Sequence, residues 1–261
     1  NNVLRARGLL ELLLDFPPEH FFCVSTDKAA NPVNIMGASK KLMEEIIMAY
    51  SGKLPITTAR FANVAFSNGS LPQGFVERFN KRQPWSCPLD IRRFFVSPQE
   101  SGELCLIASV LGESGDIIFP KLIEMRDMIT FDAIATDLLI YLGMEAEICK
   151  TEEEAKTKAL LLNLNSTKYP IYFFDTDTSG EKPYEEFFTE KEVIDNSRFI
   201  NLGVIKNSTR RNFLEIDEIF AKLHQIFSSD NMSKAKIVDI LQTFVPDFKH
   251  IEKGKGLDSK M

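Results

Sequence analysis

Apolar positions in this chain fall into short unbroken runs and into faces that recur every three or four residues. The run at 21–24 (FFCV) is the mark of a strand covered on both faces of a parallel sheet. Residues 56–62 and 116–119 read the same way. Helical patterns alternate with these runs. Leu9, Leu10, Leu13 and Leu14 share one face of a helix that Pro17 and Pro18 end. Residues 37–50 form a second amphipathic helix, and 75–82 a shorter one before Pro84 and Pro88. Ser97, Pro98 and Glu100 supply an N-cap, a proline at the first helical position and an N3 glutamate. The helix they start carries Leu104, Leu106, Ile107 and Leu111 to Gly112. Strand and helix in alternation predict an α/β fold around a parallel sheet.

After Pro120 the pattern changes. A helix is expected at 130–142, ending at Gly143, and a charged one at 151–158. The apolar runs 159–164 and 169–174 have strand character. Amphipathic helices follow at 215–227 and 233–244, and the polar tail 249–260 is expected to be mobile unless it docks on a neighbour. The expected division is therefore 1–120, holding the parallel sheet with a ligand-side loop inserted around 68–97, and 121–261, a smaller mixed α/β and helical region.

With 261 residues, 44% of them apolar, the chain can bury the core of one large or two small domains. A net charge of −6 and a pI near 5.3 argue against a nucleic-acid partner. The four cysteines form no close pairs, which reads as reduced thiols in a cytoplasmic protein without a metal site. No apolar run reaches the roughly 18 residues of a membrane span, and no signal peptide is expected. The three histidines are scattered, so a histidine-centred mechanism is not expected.

The chemistry gathers where the first strand ends. Ser25, Thr26, Asp27 and Lys28 place two hydroxyls, a carboxylate and an amine at the carboxyl edge of a sheet, where open α/β sheets bind ligands. Met36 and Lys40, four apart, share one face of the next helix. On composition alone the Asp-Lys pair reads as a solvated loop, and Met36 as core filling. The stretch NVAFSNGSLP holds small residues that let backbone N–H groups approach a ligand, although its spacing alone fits an ordinary polar turn.

The segment STDKAANPVNIMGASKKLMEE closely resembles the active-site segment of extended short-chain dehydrogenase/reductases. Within them it is most similar to the UDP-N-acetylglucosamine 4,6-dehydratases of polysaccharide synthesis. The resemblance implies the carboxyl-terminal half of a Rossmann-type parallel sheet with a smaller mixed α/β substrate-binding domain. It implies NAD or NADP as cofactor, NAD slightly favoured, a UDP-sugar substrate and a homo-oligomer. In its terms Thr26 hydrogen-bonds the C4 hydroxyl, Asp27 is the acid at C6, Lys28 the base at C5, and Lys40 holds the nicotinamide ribose. Those roles need Asp27 protonated and Lys28 neutral near pH 7. Ser25, Lys40, Phe61 and Asn63 would lie beside the cofactor.

Asn63, Ser70, Arg93 and Glu181 would lie beside the substrate. Asn63, Ser67, Gly69 and Ser70 match the family's ligand loop. Arg93, in DIRRFFVSPQE, would grip the diphosphate with a bidentate guanidinium; on sequence alone a surface arginine is equally consistent. Gly180, Glu181 and Lys182 match a motif that closes over the uridine after a strand and before a helix, with Thr178 where an arginine usually stands. Met36 takes the place of the usual tyrosine, as in a Ser-Met-Lys subgroup linked to the configuration-retaining reaction. A thioether cannot accept the C4 hydroxyl proton. Asn2 and Val3 match the start of the family's Asn-Val-x-Gly-Thr helix only in part, and no G-x-G-x-x-G occurs. The chain therefore reads as the carboxyl-terminal part of a longer enzyme. A nucleotide-sugar epimerase and a non-catalytic binding module are the rival readings, and the Asp-Lys pair favours dehydration.

Overall fold

The computed structural model describes residues 2–176, 179–206, 208–229 and 232–253. Its helices are α1 (Leu4–Asp15), α2 (Ile35–Tyr50), α3 (Leu71–Asn80), α4 (Pro98–Val110), α5 (Glu124–Asp127), α6 (Phe131–Tyr141), α7 (Glu152–Ala159), α8 (Phe213–Phe227) and α9 (Lys234–Phe244). The strands are β1 (Phe21–Thr26), β2 (Ile56–Phe61), β3 (Asn63–Val64), β4 (Trp85–Pro88), β5 (Arg92–Val96), β6 (Ile117–Pro120), β7 (Met128–Thr130), β8 (Glu145–Cys149), β9 (Lys168–Phe174), β10 (Ile194–Asp195) and β11 (Leu202–Ile205).

The main sheet has the order β1-β2-β6-β11-β10. Its first three strands are parallel, and β11 and β10 return antiparallel. Every residue of β2 is buried, which is why its sequence is an unbroken run rather than an alternation. Side-chain parity assigns the two faces. Ile56, Ile117, Phe119 and Ile205 pack with Leu42 and Ile46 of α2, Ile219 of α8 and Leu241 of α9. Ala59, Phe61, Ile118 and Val204 pack with Leu104 and Ala108 of α4. The α4 entry is the expected capping box: the Ser97 hydroxyl accepts from the Glu100 N–H, and the Glu100 carboxylate accepts from the Ser97 N–H. These layers form a Rossmann-like α/β fold.

A second, all-parallel sheet, β4-β9-β8, packs against α3 and α6. Phe75 stacks on Trp85 in its core, with ring centroids 4.6 Å apart. A third sheet, β3-β5-β7, bridges the two. The chain crosses between these bodies repeatedly, so the expected division at residue 120 runs through both: β10 and β11 join the first sheet and β4 joins the second.

Buried charge pins β2 to its surroundings. Arg60 is fully buried; its Nη2 donates to Glu44 (2.6 Å) and Glu192 (2.7 Å), and its Nη1 to the Phe187 carbonyl (2.8 Å). Burial pushes the Glu44 carboxyl up, but the charges of Arg60 and Lys41 outweigh it and hold the group below its ordinary value.

Two expectations are corrected, and a third is decided. Residues 159–164 are not a strand: α7 ends at Ala159, and Leu160, Leu161 and Leu164 are exposed. Asn163 and Ser166 take up the local backbone there, the Asn163 N–H donating to Ser166 Oγ and the Asn165 N–H to Asn163 Oδ1. Among the described residues no helix directly follows Gly180-Glu181-Lys182; the next is α8. The tail docks where it is described, the N–H groups of Lys249 and Ile251 donating to the carbonyls of Pro32 and Val33.

Candidate active site

At the end of β1 the backbone turns into a short 3-10 segment, Asp27–Ala29. The turn lets two sequence neighbours meet through their side chains. Asp27 is 1% exposed. Its Oδ1 accepts from Thr26 Oγ1 (2.8 Å), from the Lys28 backbone N–H (2.8 Å) and from Lys28 Nζ (3.1 Å). Asp27 Oδ2 is buried and has no hydrogen-bond partner among the described residues. Lys28 Nζ also donates to Asn63 Oδ1 (3.4 Å), which ties the turn to β3.

The next helix is set close against this turn. Asn34 caps α2 by accepting from the Gly37 N–H (2.8 Å). A Cβ on Gly37 would lie 2.7 Å from the Lys28 carbonyl oxygen, so only glycine permits this approach. Met36 is 44% exposed in the first turn of α2. It does not fill the core, although the next residues, Gly37 and Ala38, are buried. Lys40, one turn on, is half-buried, and its ammonium makes no hydrogen bond or ion pair among the described residues.

A segment from the far end of β9 closes over the turn. The Asn34 amide that caps α2 also donates to the Gly180 carbonyl (2.7 Å). Gly180 has φ +72°, and a Cβ there would strike the Asn34 side chain at 2.4 Å. Asn31 Nδ2 donates to Glu186 (2.8 Å). Arg93 completes the closure and is 4% exposed, so it is not a surface arginine. Its Nη1 donates to the carbonyls of Arg92 (2.8 Å), Lys182 (3.0 Å) and Pro183 (3.2 Å), and its Nη2 to Glu181 (3.3 Å). Burial raises the Glu181 carboxyl above its ordinary value, with Arg93 opposing.

Lys28, Arg93 and Glu181 from these elements line, together with residues of the 63–88 stretch, a cleft of about 690 Å³. Of the residues expected from the sequence, Lys28, Asn63, Ser70, Arg93 and Glu181 line it together. Asp27 and Thr26 stand directly behind Lys28, bonded to it. Ser25 and Phe61 lie deeper: the Ser25 hydroxyl donates to Glu44 (2.8 Å) and Phe61 packs against α4. Thr178 falls outside the described residues.

The sequence reading missed Arg78, Phe131 and Phe174 in the cleft wall and the buried Glu185 beside it. The aromatic residues are distant in sequence and carry no motif. Glu185 sits in an acidic PYEEFF stretch that reads as solvated charge.

The residues present fit one end of a nicotinamide cofactor. The uncommitted Lys40 ammonium suits a ribose diol, and Asn63 lines the cleft; no glycine-rich pyrophosphate turn occurs in the sequence. The four cysteines are free thiols. Among the described residues no cluster of three or more His, Cys, Asp or Glu could hold a metal, and no helix is long and apolar enough to cross a membrane.

The family model described as polysaccharide biosynthesis protein matches residues 1–207. Over 210 residues the chain is 29% identical to the uncharacterized membrane protein MJ1061 of Methanocaldococcus jannaschii, covering 78% of this chain and 57% of that protein. Over 240 residues it is 25% identical to the capsular polysaccharide biosynthesis protein CapD of Staphylococcus aureus, covering 90% of this chain and 36% of CapD. The chain thus spans about half or less of the length of these relatives. Among solved structures, the dTDP-glucose 4,6-dehydratase DesIV of Streptomyces venezuelae, with NAD and TYD bound, superposes with a TM-score of 0.53 at 16% identity, covering 82% of this chain and 62% of DesIV. That likeness is one of fold.

Proposed function

This chain belongs to the polysaccharide biosynthesis protein family, and from that premise we propose that it is the substrate-binding and acid–base part of a UDP-N-acetylglucosamine 4,6-dehydratase. One observation carries the reading. A buried carboxyl and a lysine amine are hydrogen-bonded to each other at the carboxyl end of a parallel strand, and the amine opens onto a large cleft. A dehydration needs such a pair; an epimerase, which oxidises and reduces only at C4, has no use for it.

The reaction removes hydride from C4, which acidifies the C5 proton beside the new ketone, then expels the C6 hydroxyl and returns hydride to C6. A bound nicotinamide supplies the hydride acceptor and donor. The chain's own residues do the proton work. Thr26 Oγ1 offers a lone pair to the C4 hydroxyl, whose proton leaves through it and a water, because Met36 cannot take it. Lys28, as the neutral amine, takes the C5 proton. Asp27, as the neutral acid, protonates the departing C6 oxygen. Arg93, Asn63, Ser70 and Glu181 orient the sugar nucleotide, and Lys40 holds the nicotinamide ribose. Arg93 already spends Nη1 on three carbonyls, so its contribution to the diphosphate is through Nη2 and its charge.

The test is direct. Full-length protein incubated with UDP-N-acetylglucosamine and NAD should yield the 4-keto-6-deoxy sugar nucleotide by NMR, with no net accumulation of reduced nicotinamide. Epimerised product, or reduced cofactor in proportion to product, would contradict the reading.

A further inference from the structure

The stretch that closes over the turn after β1 has no ladder of its own. Between the end of β9 at Phe174 and the start of β10 at Ile194, no helix or strand occurs among the described residues. Glu181 nevertheless reaches Arg93 in the cleft wall, so the stretch is held by groups from elsewhere. One holder is Asn34, at Gly180. The other is the end of the described chain.

Phe248 is 2% exposed and fixes the start of that run in the core. The N–H groups of Lys249 and Ile251, two residues apart, donate to the carbonyls of Pro32 (3.3 Å) and Val33 (3.0 Å), as in an extended chain. The next two residues reach the closing stretch. The Ser179 hydroxyl donates to Glu252 Oε1 (2.7 Å) and accepts from the Lys253 N–H (2.8 Å). Lys253 Nζ donates to the Thr176 carbonyl (3.1 Å). The Thr176 hydroxyl donates to Glu181 Oε2 (3.4 Å), and Glu181 Oε1 accepts from Arg93 Nη2 (3.3 Å). Glu252 is steadied in turn, its Oε2 pairing with Lys234 of α9 and with His250 Nε2 (3.1 Å). An unbroken series of contacts therefore runs from residues 249–253 to two residues of the cleft wall.

We propose that residues 249–253 form a strap, and that Ser179, which it grips, is a positioning residue that fixes Glu181 and Arg93 against a bound sugar nucleotide. The ligand in this statement rests on the dehydratase reading; the hold of the strap on the stretch does not.

Magnitudes set what the strap can do. Its bonds to Ser179 and Thr176 are exposed, and exposed polar contacts add little to global stability. They suffice to bias a local opening, which lies at the low end of a protein's stability scale. Releasing the strap should therefore free the stretch without melting the fold. A tail that only filled space would lower the melting temperature and loosen distant regions alike.

Full-length protein shortened to end at Lys253 is compared with protein ending at Phe248, so that the two differ only in the strap. Ser179→Ala removes both hydroxyl bonds and leaves the tail intact; Ser179→Thr keeps the hydroxyl. A protease that cuts after glutamate reads the opening at Glu181 and Glu185, whose side chains are 15% and 5% exposed. Its cuts at the exposed Glu152 and Glu153 of α7 serve as the internal reference. Normalised cleavage should rise at least about threefold on shortening from Lys253 to Phe248 and in Ser179→Ala, because cleavage tracks the open population. Ser179→Thr should stay near wild type, and melting temperatures should agree within about 2 °C. With UDP-N-acetylglucosamine, KM should rise in Ser179→Ala by a similar factor while kcat falls much less. Unchanged normalised cleavage in the protein ending at Phe248 or in Ser179→Ala would overturn the proposal, as would an equal rise in Ser179→Ala and Ser179→Thr. Absence of turnover in every protein would instead refute the dehydratase reading, and proteolysis alone would then decide the strap.

Discussion

Neighbouring residues in an extended strand point to opposite faces, so Asp27 and Lys28 can meet only because the chain leaves β1 in a tight turn. In the proposed reaction that contact makes the two side chains one acid–base unit. Asp27→Asn and Lys28→Met should each lower turnover by about 10²-fold or more while KM changes much less, as steady-state kinetics on the full-length protein will show. Met36 offers the opposite expectation. It is exposed and its sulfur has no proton to exchange, so Met36→Leu should leave turnover within about twofold and stability within ~0.5 kcal/mol. At this scale the sequence was readable where contacts are local: Thr26, Asp27 and Lys28 stand side by side in the sequence and bond to one another in the fold. It was not readable where burial is decided from afar. The depth of Arg93 is set by carbonyls at 182 and 183, and that of Glu185 by a segment folded back across the turn.

Among the elements, α2 and the 179–186 segment are tied together at the Asn34 side chain. Asn34 caps the helix with its oxygen and holds Gly180 with its nitrogen. Asn34→Ala should therefore cost about 1–2 kcal/mol in denaturant unfolding, the ordinary loss of a cap. It should also raise KM more than it lowers kcat, because the freed segment carries Glu181. A pure cap effect would leave KM unchanged. The same contrast explains which elements could be anticipated. The central strand β2 is buried throughout and announces itself as an apolar run, whereas β8, an edge strand of sequence EAEIC, interrupts its apolar residues with two glutamates and gives no such signal. The leucine-rich 159–164 misleads for the converse reason: Leu160, Leu161 and Leu164 face outward after a helix end.

Across the whole molecule, the buried ion network couples the sheet to its covering segments. Arg60→Met would strand Glu44 and Glu192 and should destabilise the protein by ~3–5 kcal/mol, measured by denaturant unfolding. Two sets of carboxyls also give stability opposite dependences on pH. For Glu44 and Glu192 burial pushes upward, but Arg60 prevails and holds them below the ordinary 4.5. Their contribution is complete above that value and is lost as pH falls through their lowered range. For Glu181 and Glu185 burial prevails and raises them, so their contribution is complete below 4.5 and is lost as pH rises through their raised range. Melting temperatures between about pH 3 and pH 8 should fall less on the rising side in Glu185→Gln than in wild type. The central claim, that Lys28 takes a proton from C5 of a nucleotide sugar, has its own measurement. Full-length protein turning over UDP-N-acetylglucosamine in deuterated water should place one deuterium at C5 of the product, and Lys28→Met should abolish that incorporation. Product unlabelled at C5, or undiminished labelling in Lys28→Met, would contradict it.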